Sequence, residues 1–146
     1  MDRTTTYTPQ QRPDITDKRA ITDFLYNHLD KFGDKWDDIH KAIDYSVKDI
    51  ESFGGFTLKL ENEDGIIGAV VVNETGMSGY IPENILVYIA IHRDHRGKGV
   101  GKRLMKEAIE QCKGNIALHV EPDNPARHLY KNLGFSNKYL EMRLSR

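Results

Sequence analysis

The sequence predicts one mixed α/β domain, a central twisted mixed sheet flanked by helices, and three observations carry that prediction. The chain has 146 residues, enough for one core and too few for two, since domains cluster near ~100–150 residues. Its apolar positions follow a helical period in the first third, then alternate or run continuously, then switch between helical and strand patterns. Hydrophobic residues make up 38% and charged residues 29%, with five Phe, seven Tyr and one Trp, the composition of a chain that packs.

Residues 1–13 are polar and interrupted by Pro9 and Pro13, so only Thr4 to Tyr7 can form a short edge strand. Ile15, Ala20, Ile21, Phe24, Leu25, Leu29 and Phe32 then recur at helical spacing and stop at Gly33, predicting a helix over 16–32. A second helix follows Asp34, a natural cap, and carries Trp36, Ile39, Ile43, Val47 and Ile50 towards Gly54 and Gly55. Phe56, Leu58 and Leu60 alternate with Thr57, Lys59 and Glu61, a half-buried strand, and the turn Asn62 to Gly65 returns it through Ile66 to Val72. Ile85 to Ile91 is apolar on both faces, as a strand covered on both sides requires. A glycine-rich loop leads into a helix over Val100 to Cys112, then a strand over Ile116 to Val120, a short helix closed by Gly134, and a last strand over Tyr139 to Leu144. No repeat or long linker divides residues 1–146.

Charge and composition exclude several classes. Lys and Arg number 21 against 22 Asp and Glu, a net charge of -1, which does not suit a generally basic nucleic-acid binder. The longest apolar run has seven residues, against ~20 for a membrane span, and the N-terminus has no apolar signal core, so a cytoplasmic protein is expected. Cys112 is the only cysteine, which excludes an internal disulfide, and His92, His95 and His119 lack a fixed ligand geometry, so no metal is expected. The near-neutral total hides an asymmetry: residues 92–113 hold seven Lys and Arg against three Asp and Glu, whereas 14–51 hold six against ten.

The cationic stretch is where chemistry concentrates. Arg96-Gly97-Lys98-Gly99-Val100-Gly101 lies between a central strand and a helix, and a helix start presents unpaired N–H groups and a positive dipole end that glycines let an anion approach. The loop fails GxxxxGK[ST], because Gly101-Lys102 is followed by Arg103, and it fails GxGxxG, because its glycines stand at 97, 99 and 101. It fits Arg-x-x-Gly-x-Gly. An ordinary strand-to-helix turn would need one glycine, without flanking cations.

This pattern, with Arg96, Gly99 and Gly101, resembles the pyrophosphate loop of the GNAT N-acetyltransferase superfamily. Asn124 to Phe135, with Leu129-Tyr130 and Gly134-Phe135, resembles the family's second signature. The resemblance covers Gly55 to Leu144 and extends to residues 1–54 only in helix order. It implies a GNAT fold and transfer of acetyl from acetyl-CoA to a primary amine, by direct attack without a covalent enzyme intermediate. Main-chain groups of Ile89, Ala90 and Ile91 would hold the pantetheine arm, and Arg96, Gly97, Lys98, Gly99, Val100, Gly101 and Lys102 the pyrophosphate. Asn124 would contact the cofactor arm. Its spacing to Tyr130 is one residue shorter than the family's, which brings Asp123 forward as an alternative.

By the same resemblance, Tyr130 would protonate the departing thiolate. A phenol of pKa about 10 suits a thiolate leaving group of pKa ~8.5. Three groups compete as general base: His119, Glu83 and Glu121. Only Ser136 to Lys138 separates Gly134-Phe135 from the last expected strand, so a shortened C-terminal hairpin is expected. The acceptor cleft would then be open, or be completed by the first two helices, the Glu74 to Tyr80 loop or a second subunit of a homodimer. A small-molecule or protein amine fits the pattern equally, and neither nucleic acid nor membrane is expected as partner. A non-catalytic acyl-CoA-binding regulatory module is the alternative that keeps the loop.

Overall fold

The computed structural model describes residues 2–146. In chain order the elements are β1 (Arg3–Tyr7), α1 (Ile15–His28), a 3-10 turn (Asp30–Phe32), α2 (Trp36–Val47), β2 (Gly55–Asn62), β3 (Gly65–Glu74) and β4 (Asn84–Ile91). A second 3-10 turn (Arg93–His95), α3 (Val100–Gln111), β5 (Ile116–Leu118) and α4 (Ala126–Asn132) complete the order. The five strands form one sheet in the order β1-β2-β3-β4-β5, antiparallel through β4 and parallel between β4 and β5.

Strand alternation divides the core between the two faces of this sheet. One face, with Ala69, Val71, Tyr88 and Ala90, packs on Ile21, Phe24 and Leu25 of α1 and Ile39, Ile43 and Val47 of α2. The other, with Leu58, Leu60, Val70, Val72 and Leu86, packs on Leu104, Met105 and Ala108 of α3 and on Tyr130 of α4. A Cβ on Gly68 would stand 2.4 Å from Leu104 Cδ1, so this glycine lets α3 lie close against β3.

Local forces move several boundaries inward. The first helix ends at His28 rather than 32, because Asp30 takes a left-handed φ of 56° and the chain tightens into a 3-10 turn. Asp14 caps its start by accepting from Asp17 N. The second helix ends at Val47, where Lys48 adopts φ 60° and returns its N–H to Asp44 O. Asp34 does not cap it; its carboxylate accepts from the Tyr88 hydroxyl. The strand expected over 116–120 stops at Leu118.

The last expected strand does not form. Residues 136–146 carry no helix or strand, and Tyr139, Leu140, Met142 and Leu144 are 78% to 91% exposed. Alternation alone gives this segment strand character, but a strand gains its hydrogen bonds only from a ladder partner, and the sheet ends at β5. The shortened hairpin read from the sequence is therefore absent altogether.

Candidate functional site

The site is an opening in the sheet. β4 pairs with β3 over most of its length but meets β5 only through Asn84, Ile85 and Leu86, opposite Ile116, Ala117 and Leu118. From Val87 to Ile91 no strand among the described residues pairs with it on the β5 side. The closed end is stitched: the Asn84 amide donates to Lys113 O at 2.7 Å and Asn115 O at 3.2 Å, and a Glu83 oxygen accepts from Asn115 N at 3.0 Å. Val87 stands as an extra residue between the pairs Val72↔Leu86 and Val71↔Tyr88, and such a bulge bends the strand away from its neighbour. Ile89 and Ile91 line this stretch on the α3 and α4 side, half-buried, while Ala90 is buried towards α1 and α2.

The glycine loop closes the open end. Gly97 and Gly99 hold φ of 76° and 80°, and a Cβ at either would have no heavy atom within 4 Å. Gly99 precedes α3 without a side-chain cap, and the first bond back to it comes from Arg103 N at 3.1 Å, leaving the N–H groups of Val100, Gly101 and Lys102 without intrahelical acceptors. Lys98 and Lys102 are exposed and form no ion pair among the described residues. Arg103 pairs with Asp2 and Glu107. Left-handed glycines facing open space, an uncapped helix start and two free ammonium groups fit a pyrophosphate. Gly101 faces the protein instead: a Cβ there would rest at ordinary contact distance, 3.4 Å from Leu129 Cδ2 and 3.7 Å from Ile91 Cγ1.

Arg96 turns inward. Its Nε donates to Ile91 O at 3.1 Å, Nη1 to Asp30 Oδ2 at 3.0 Å and Nη2 to His28 O at 2.7 Å.

Tyr130 lies in the same apolar cluster as Ile89 and Ile91, with its ring centroid 6.1 Å from that of Phe135. Its hydroxyl has no hydrogen-bond partner among the described residues, and burial pushes its pKa up to about 12. At neutral pH it is a protonated donor. Cys112, with its thiol pushed up to about 11 by burial, stays protonated as well and is a poor nucleophile.

The three candidate bases do not converge. His119 and Glu121 are exposed in the coil after β5. Glu83 sits at the stitched end of β4, opposite the glycine loop, where the Asn115 N–H holds its carboxyl below the ordinary range. That stabilises the carboxylate and weakens it as a base. Asn124 accepts from Ala126 N at 2.9 Å and so shapes the turn into α4, while Asp123 pairs with Lys31 at 2.7 Å.

Two groups escaped the sequence reading. Asp30 receives Arg93 and Arg96, and Asp34, expected as a helix cap, receives Tyr88 instead; both lie in the acidic stretch 14–51. Much of that stretch is internally paired, with Lys18 bridging Asp44 and Asp49 and Trp36 Nε1 donating to Asp23. No spacing rule links Asp30 to arginines more than 60 residues away.

Among the described residues no cluster of His, Cys, Asp and Glu is arranged to hold a metal, and no helix is long and apolar enough to cross a membrane. The family model of the acetyltransferase (GNAT) family matches residues 19–135. Comparison with curated proteins gives no match. Solved structures with the same fold include a transcriptional regulator from Bacillus halodurans C-125, 17% identical, with a TM-score of 0.69, covering 99% of this chain and 100% of that one. The ribosomal-protein-S18-alanine N-acetyltransferase of Escherichia coli is 16% identical, with a TM-score of 0.67 and coverage of 95% and 80%. The ribosomal-protein-alanine N-acetyltransferase of Brucella melitensis biovar Abortus 2308 is 16% identical, with a TM-score of 0.63 and coverage of 100% and 99%.

Proposed function

The chain belongs to the GNAT acetyltransferase family, and from that premise we propose that it transfers an acetyl group from acetyl-CoA to a primary amine. One observation supports this above the others: the unpaired stretch of β4 runs straight into the open glycine cradle at the start of α3, with the Tyr130 ring in the cluster beside it. A long, thin cosubstrate with a phosphate-bearing end matches that shape.

Acetyl-CoA supplies a thioester, an acyl group already activated towards nitrogen. Main-chain groups between Val87 and Ile91, lacking a strand partner on the β5 side, offer hydrogen bonds to the pantetheine arm and to the acetyl oxygen as negative charge develops there. The N–H groups from Gly97 to Lys102, with the ammonium groups of Lys98 and Lys102, hold the pyrophosphate. Tyr130, kept protonated at neutral pH by a pKa pushed up to about 12, donates its phenolic proton to the departing sulfur, and the same apolar surroundings that raise the phenol's pKa raise that of a thiolate formed beside it. The acceptor ammonium loses its proton to solvent through His119 or Glu121, both open to water, or through Glu83, whose lowered pKa weakens it as a base.

The test is a thiol-release assay with acetyl-CoA across small amines, amino acids and peptide N-termini. Amine-dependent release that falls in Tyr130→Phe supports the reading. Tight CoA binding with no release from any amine would instead make the protein an acyl-CoA-binding regulatory module.

A further inference from the structure

Asp30 breaks a local rule. It sits just past the last turn of α1, where the negative end of the helix dipole disfavours a carboxylate. It also holds φ 56°, a left-handed conformation that aspartate tolerates, with glycine and asparagine, better than other residues do. Local violations of this kind are retained where something else requires them.

What requires Asp30 is the glycine loop. Arg93 donates to Asp30 Oδ1 through Nε at 3.1 Å and Nη2 at 2.9 Å, and Arg96 donates to Oδ2 through Nη1 at 3.0 Å. The same two guanidinium groups reach the carbonyls that end α1, Arg96 that of His28 at 2.7 Å and Arg93 that of Asn27. Arg96 also holds Ile91 O, the last carbonyl of β4. The His28 ring lies 4.2 Å from that of His92 and accepts from Arg93 N at 3.3 Å. Two cations side by side and a carboxylate at a helix C-terminus are each unfavourable alone; together they leave one net positive charge facing the negative end of α1 and form a joint between that helix end and both ends of the segment 91–96.

We propose that Asp30 is a positioning residue for the cofactor loop, fixing Arg93 and Arg96 so that the open face of Gly97 and Gly99 is preorganised before an anion arrives. This rests on the acetyl-CoA reading above, and it gives the arginine of Arg-x-x-Gly-x-Gly a task directed at the protein, with the phosphate left to amides and lysines. Because the joint joins α1 to the loop, ligand affinity at the loop depends on a residue that does not touch the ligand.

The experiment compares the wild-type protein with Asp30→Asn, which keeps the shape and tolerates a left-handed φ, with Asp30→Gly, which relieves that φ and guards against a folding failure, and with Asp30→Glu. Two readouts are needed: amide hydrogen exchange of residues 93–99 without ligand, and CoA affinity beside kcat and KM. The expected result is faster exchange across 93–99 in Asp30→Asn and Asp30→Gly. CoA binding should weaken roughly tenfold, the scale of one lost charge-assisted contact set, with kcat at saturating acetyl-CoA within about twofold. Partial recovery is expected in Asp30→Glu. Unchanged exchange in 93–99 would overturn the proposal however CoA behaves, and so would faster exchange with unchanged CoA affinity. Absence of CoA binding by the wild type would instead overturn the acetyl-CoA reading, and the cofactor role of Asp30 with it, even where exchange shows the joint itself.

Discussion

Gly99 and Gly101 stand two residues apart, yet one added methyl group should act in opposite directions at the two positions. At Gly99 the backbone holds φ 80° and a Cβ would meet nothing within 4 Å, so Gly99→Ala adds backbone strain and no clash, ~1–2 kcal/mol for an L residue in that region. For a domain of this size that lowers Tm by about 2–8 °C. At Gly101 the backbone is helical and the new Cβ would rest at ordinary contact distance, 3.4 Å from Leu129 Cδ2 and 3.7 Å from Ile91 Cγ1. Gly101→Ala should therefore stabilise by about 0.5–1 kcal/mol through reduced unfolded-state freedom. The functional effects separate as well. A methyl at 99 stands in the space over the unpaired amides, and losing one hydrogen bond to a charged group, about 1.5–3 kcal/mol, weakens CoA binding roughly 10- to 100-fold. Thermal melts and calorimetric titration with CoA read both quantities. A Gly99→Ala protein that melts higher than wild type, or binds CoA equally well, would contradict the roles given to these glycines, as would a Gly101→Ala protein that melts several degrees lower.

Further outcomes follow from the same geometry. Tyr130→Phe should lower kcat by ~10²–10⁴-fold with little change in KM for acetyl-CoA, and, since the hydroxyl has no hydrogen-bond partner among the described residues, should melt within a few degrees of wild type. Burial raises the folded pKa of Tyr130 to about 12 from the ordinary 10, so its contribution to stability is complete below pH 10 and is lost as pH rises towards 12; urea midpoints of Tyr130→Phe should be flatter across that window. Gly68→Ala forces a methyl against Leu104 Cδ1 and should cost about 1–3 kcal/mol, whereas Leu104→Ala, at a fully buried position, should cost about 2.7–5 kcal/mol. The double variant should be clearly less destabilised than the sum, and additivity in urea titration would contradict the close approach. Burial and the neighbouring charges of His92, Arg93 and Arg96, opposed by Asp30, lower the His28 pKa. The stability this implies is complete above pH 6.5 and is lost as pH falls through the lowered value, so His28→Asn should remove part of the acid sensitivity between pH 7.5 and 5.

Much of this architecture was legible in the chain because its signals are local. The change of period at Gly55, the apolar run Ile85 to Ile91 and the glycines before Val100 each depend on neighbours in sequence, and each marks an element of the structure. The last strand misled for the same reason: Tyr139 to Leu144 alternates well, but strand formation needs a partner that alternation does not supply. The loop could be read as an anion cradle from its glycines, whereas the inward turn of Arg96 could not, since its acceptors are the carbonyls of His28 and Ile91 and the carboxylate of Asp30. Asp34 looked like a cap by position, and only the sheet brings the Tyr88 hydroxyl to it. Ion pairs across more than 60 residues are written in the fold, and sequence spacing carries no trace of them.

The gap between β4 and β5 and the cradle at the start of α3 are proposed to form one cosubstrate site. Titrating labelled protein with CoA while following backbone amide resonances tests that assignment most directly. Saturable shifts are expected in two contiguous groups, Val87 to Ile91 and Gly97 to Lys102, with β1 and β2 unaffected. Saturable shifts confined to another surface, or none up to millimolar CoA, would contradict it.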